Sequence, residues 1–151
     1  MTCLRIIFSI LLASLSAPIA AQTVTAVCRE PVGRTMGITG TVLGKGEALD
    51  EKDAMAGGLF TIVWDGGQTA HVISQGAGGG EPLSDTASVV FHSEQQISFL
   101  VSYDSSIWLY SLFPKPETLL ITSHNDGLWI DQGGAINKSF RAACEISGIE
   151  R

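Results

Sequence analysis

"SSIWLYSLFPKPETLLITSH", residues 105–124, decides the fold. A helix would need apolar residues three and four apart along one stripe. Here Trp108, Tyr110 and Leu112 alternate with Ile107, Leu109, Ser111 and Phe113, the period of two that sends successive side chains to opposite faces of a strand. Pro114 and Pro116 then fix φ and withhold two N–H donors from any ladder, so "PKPE" reads as a turn. "TLLITSH" resumes as a second strand. The aromatic residues need no special explanation at this point, because Trp, Tyr and Phe pack well on a pleated, half-buried surface. Apart from Ser111, both faces of 107–113 are apolar, which predicts a strand covered on both sides in the middle of the fold.

The same alternation extends outward in both directions. "QISFLVSY" sets Ile97, Phe99, Val101 and Tyr103 on one face, "ASVVFHS" precedes it, and "DSS" joins it to the tryptophan strand. Further upstream, "LFTIVW" and "TAHVIS" flank Asp65-Gly66-Gly67, whose glycines supply the positive φ of a tight hairpin. "TVTAVCRE" opens the pattern and is expected to end at Pro31 and Gly33, with "MGITGTVLG" as a separate strand bent at its glycines. A final strand over 139–145 closes it, after loops at Asn125-Asp126-Gly127 and "DQGGA". The expectation is an all-β fold, a small antiparallel β-barrel or β-sandwich of about eight strands.

Two stretches depart from the pattern. "GKGEALDEKDAMAGG", residues 44–58, is rich in alanine and acids and bracketed by glycines, which predicts one short surface helix. Its acids Glu47, Asp50, Glu51 and Asp53 read as a solvated face and lack the alternating spacing of a calcium loop. "QGAGGGEPLSD" is rich in glycine but is followed by Glu81 and Pro82 in place of the Lys and Ser/Thr of a phosphate loop, so it reads as a surface loop.

Residues 1–21 read as an export leader: Arg5, an apolar run "IIFSILLASL", and small residues up to Ala21. The apolar run is shorter than the roughly 20 residues a helical span needs. Residues 22–151 then form a single all-β domain, large enough for its own core. Of three cysteines only Cys28 and Cys144 remain after the leader, one near each end, and in an oxidising compartment they are expected to pair and hold the terminal strands together. Losing Arg5 takes the formal net charge from −6 to −7. Such a chain, without a basic block, is a poor partner for nucleic acid, and no stable membrane insertion is expected after the leader is removed. The expected location is periplasmic or secreted.

Chemistry is sparse. His71, His92 and His124 fall on three different strands with no close-spaced pair, so no metal site and no cofactor are expected. No Gly-x-Ser-x-Gly elbow appears, and pairing of Cys28 with Cys144 leaves no thiol nucleophile, so no catalytic residues are assigned and an enzyme is not expected. The size, terminal disulfide and run of strands resemble lipocalin-like barrels, but "CREPVGRTMG" stands where those carry a Gly-x-Trp element, so no family is assigned. The favoured function is a non-enzymatic binding protein for an apolar or amphipathic small ligand near Trp64, Trp108 and Tyr110. The alternative is a protein-interaction module, such as an inhibitor of a secreted hydrolase, acting through its loops on an exported protein partner.

Overall fold

The computed structural model describes residues 23–39, 46–126 and 134–148. Among these every regular element is a strand: β1 (Val24–Thr39), β2 (Glu47–Ala54), β3 (Leu59–Trp64), β4 (Thr69–Gln75), β5 (Leu83–His92), β6 (Ile97–Tyr103), β7 (Ser106–Phe113), β8 (Thr118–Asn125) and β9 (Gly134–Ser147). The predicted leader, the bend at Gly40, and most of the loop between β8 and β9 lie outside the described residues.

All pairings are antiparallel. β3 to β9 run as an up-and-down meander, and β1 pairs with both β3 and β9, which closes an eight-stranded barrel with β2 as an additional strand on β1. Closure pairs every barrel strand on both sides and leaves the outer side of β2 as the edge among the described residues. Cys28 faces Cys144 in the closing pair and the two form a disulfide, with Cα atoms 4.0 Å apart and 116 residues between them in sequence.

The alternation read from the sequence sets the inner wall. Ile62, Val72, Phe99, Leu112, Leu119 and Ile121 are completely buried and fill the interior, as an eight-stranded barrel of this width requires. On the outer wall the coverage is partial: Ile107 is 48% exposed, so the expectation that β7 is covered on both faces fails at that end. Further along the same outer face Ser111 is buried and shares a 2.9 Å hydrogen bond with Ser98 of β6. The inner face of β7 is packed along its length, while the outer face is half-covered at Leu109 and Phe113 and open at Ile107, an ordinary exposed hydrophobe of a small protein.

Two other expectations are corrected. Pro31 does not end the first strand. The pairing of β1 with β9 shifts between Arg29 and Val32, Glu30 takes a positive φ of 48°, and the strand continues to Thr39. Pro31 sits in this bulge, where its missing N–H leaves no ladder bond unmade; its carbonyl accepts from Met55 N at 2.9 Å. The extra residue also exchanges the faces: Val24, Ala26 and Cys28 point inward before it, Pro31 and Thr35 after it.

The helix expected over 44–58 is instead β2, paired residue for residue with Val32 to Thr39 of β1. Helix propensity amounts to a few tenths of a kcal/mol per residue. The second half of β1, projecting past β3, offers a row of backbone partners that outweighs it. Side chains secure the register: Arg34 donates to Asp50 at 2.7 and 2.9 Å, and Thr35 Oγ1 donates to Asp53 Oδ2 at 2.7 Å. Lys138 of β9 adds a 3.2 Å ion pair to the same Asp53 oxygen. Hydrogen bonding from Thr35 and the Lys138 charge together hold the Asp53 carboxyl below the usual range, against a smaller opposing effect of burial. Here β2, β1 and β9 form a ribbon that continues past the barrel wall.

Candidate functional site

In a meander, successive turns fall at alternate ends of the barrel. The β3–β4, β5–β6 and β7–β8 turns share one end; the β4–β5, β6–β7 and β8–β9 connections share the other. This parity separates the three predicted site residues.

Trp64 ends β3 at the first of these ends. It is 6% exposed, its ring meets His92 edge-on at 4.7 Å and Phe99 at 6.2 Å, and its Nε1–H donates to Gly67 O at 2.8 Å. The indole thus closes the floor of the barrel with its one polar atom satisfied by the hairpin turn.

Trp108 and Tyr110 stand at the opposite end, on the inward face of β7. Leu112 is sealed in the core, Tyr110 above it is 3% exposed, and Trp108 is half-buried at the rim. The Trp108 and Tyr110 rings lie nearly parallel, 18° apart in plane with centroids at 6.3 Å. Phe60, from the opening of β3, meets Tyr110 at 6.0 Å. Together with Met55 and Leu83 these rings line a cleft of about 650 Å³ at the barrel mouth, within the size range of small-molecule sites.

The polar part of the cleft includes Asp85 of β5 and Tyr103 of β6, beside Ser74, Gln75, Ser106 and Asn125 of the neighbouring strands. Tyr103 Oη donates to Asp85 Oδ2 at 2.6 Å. Burial and the adjacent Asp85 charge both push the Tyr103 phenol up, and burial, aided by Tyr103 and Asp85, does the same for Tyr110. Both phenols therefore remain protonated under all physiological conditions. The Tyr110 hydroxyl makes no hydrogen bond among the described residues, yet it is not sealed away as an orphaned polar atom. Its outlet is the cleft it lines. Glu81 and Asp85 are the charged residues of the lining; among the described residues it contains no Lys, Arg or His.

The predicted trio is thus divided. Trp108 and Tyr110 share the cleft, and Trp64 belongs to the core at the far end. Met55, Phe60, Leu83, Asp85 and Tyr103 are cleft residues that the sequence reading did not single out. For Tyr103 a signal existed, since it shares a face with Phe99 and Val101 and precedes the turn that leads to Trp108. The histidines do not converge: His92 packs on Trp64, His71 is exposed on β4, and His124 lies within 3.3 to 3.4 Å of the Asn137 amide. No group of three or more potential metal ligands gathers among the described residues. No family model, no curated protein and no solved structure matches the chain.

Proposed function

We propose that this protein is an exported, non-enzymatic binding protein that holds one small apolar or amphipathic molecule in the mouth of its barrel. The observation that carries this reading is the cleft of about 650 Å³ in which Trp108, Tyr110, Phe60 and Met55 present apolar surface beside the Tyr110 hydroxyl, which opens on the cleft without a hydrogen-bond partner among the described residues. A concave, mostly apolar surface with a few polar groups at its edge is the usual form of a small-molecule site. The ligand rests on the filled interior and does not enter it, because Leu112 and Phe99 occupy the volume below Tyr110. The disulfide agrees with an oxidising location, and the leader-like residues 1–21 supply the route.

Native mass spectrometry of the disulfide-bonded protein tests this directly. An excess mass released on denaturation, and lost in Trp108→Ala, is the expected result. A bare mass, combined with no binding of apolar fluorescent probes at the mouth, would remove the proposal.

A second reading has its own observation. The β4–β5 loop is exposed throughout Gly76 to Pro82 and is braced by Gln75 Nε2 donating to Gly80 O at 2.8 Å. A braced loop projecting from a rigid barrel suits insertion into a partner protein, such as a secreted hydrolase. Deleting Gly78 and Gly79 would abolish a protein complex built on that loop.

A further inference from the structure

We infer that the mouth cleft selects amphiphiles with a cationic head, an organic ammonium carrying an apolar tail. The inference rests on the binding reading above and adds a charge preference to it.

Three observations at the cleft converge. The first is the aromatic wall: the planes of Trp108 and Tyr110 lie nearly parallel with centroids 6.3 Å apart, and Phe60 is inclined against Tyr110. Aromatic faces carry negative potential, and an ammonium within about 6 Å of a ring centroid is attracted to them. The second is the charge of the lining. Glu81 and Asp85 are its ionisable carboxylates, and no Lys, Arg or His stands among its described residues to balance them. Asp85 receives one hydrogen bond, from Tyr103, on Oδ2. The donor is a neutral phenol, so the bond leaves the carboxylate charge uncompensated at the cleft. The third is the hydroxyl of Tyr110: the residue is 3% exposed, its hydroxyl has no partner among the described residues and opens on the cleft, and its oxygen lone pairs suit an N–H donor.

Among the described residues an anionic head would meet two carboxylates and no cation, whereas an ammonium meets opposite charge and ring faces together. The rest of the molecule acts in the same direction, since the formal net charge of −6 raises the local concentration of cations. Met55, Phe60 and Leu83 offer the apolar surface for the tail.

The test uses three probes with one tail, octylammonium, octyl sulfate and octyl glucoside, each below its micelle concentration. They are titrated by calorimetry into the disulfide-bonded protein. The ammonium is expected to bind about tenfold or more tighter than the sulfate, a difference of about 1.4 kcal/mol, with the glucoside between them. Salt at about 1 M, where screening falls to roughly 3 Å, should compress the difference. Glu81→Gln and Asp85→Asn should each lower ammonium affinity and leave glucoside affinity within about twofold. Glu81→Gln keeps the Tyr103–Asp85 bond, so a change in it does not come from lost structure. Equal affinity for the three probes, or a preference for the sulfate, overturns the charge inference and leaves the apolar site standing. Binding of none of them overturns the charge inference and the binding reading together.

Discussion

Reducing the bond between Cys28 and Cys144 should destabilise this barrel mainly by freeing the unfolded chain. The two cysteines already face each other within the long β1–β9 pairing, so breaking the bond removes little that holds the native strands together. In the unfolded chain the same bond closes a loop of 116 residues. The chain-entropy relation then gives about 5 kcal/mol at 25 °C. With about 2.1 cal/mol/K of unfolding entropy per residue over roughly 130 residues, this corresponds to a fall in Tm of roughly 15–20 °C. The assay is urea unfolding followed by tryptophan fluorescence, on the oxidised protein, the reduced protein, and the variant with Cys28→Ala and Cys144→Ala. Reduction isolates the cross-link; the double variant adds the loss of two buried sulfur atoms and should lie slightly lower. The slope with urea should rise on reduction, because a longer free chain exposes more surface. Oxidised and reduced proteins agreeing within about 1 kcal/mol would refute the reasoning and show that the unfolded chain keeps its ends together without the bond.

The two ends of the barrel should respond differently to the loss of an indole. Trp64→Ala should cost about 3–5 kcal/mol by urea unfolding, as for a fully packed tryptophan. Trp108→Ala, half-exposed at the mouth, should cost about 1–2 kcal/mol while abolishing ligand retention; equal costs would contradict the placement of the two residues. A Cβ at Gly33 would lie 1.8 Å from the Ser139 carbonyl oxygen, so Gly33→Ala should cost about 1–3 kcal/mol by forcing β1 and β9 apart, seen as faster amide exchange in both strands. Asp53, its carboxyl held below the usual range, stabilises the fold above the unfolded carboxylate pKa, and that contribution disappears as pH falls through the lowered folded value. Asp53→Asn should therefore show a shallower loss of stability than wild type on titration from about pH 5 to pH 2; identical acid limbs would exclude the carboxyl as a source.

Much of this architecture is legible because a period of two reports which face a residue takes. The alternation around Phe99, Tyr110 and Leu112 places each on the inner wall, and Asp65-Gly66-Gly67 marks its hairpin, with Gly66 at φ 87°. Alternation does not report depth along the barrel. Trp64 and Trp108 have the same inward direction, and only the parity of the turns assigns one to the floor and the other to the mouth. That parity was present in the order of strands once the meander was assumed. The bulge at Glu30 was not legible, because a proline between two polar-flanked runs ends strands as often as it sits in a bulge. β2 was hidden for another reason: its pairing is dictated by the half of β1 that projects past β3, a tertiary cause, while its own residues favour a helix. The cleft residues Phe60, Asp85 and Tyr103 come from three strands and meet only when the barrel closes.

The composition of β2 bears on whether one molecule can add to another. Among the described residues its outer side has no strand beside it, so it presents backbone donors and acceptors that a second molecule could extend into a growing sheet. "EALDEKDA" is poorly suited to that: it carries Glu47, Asp50, Glu51, Lys52 and Asp53 along eight residues and contains no β-branched or aromatic side chain. A copy approaching in register would bring like charges together and gain almost no apolar contact. The residues that made this segment read as a helix are those that keep a strand at the border of the sheet from becoming a template for aggregation.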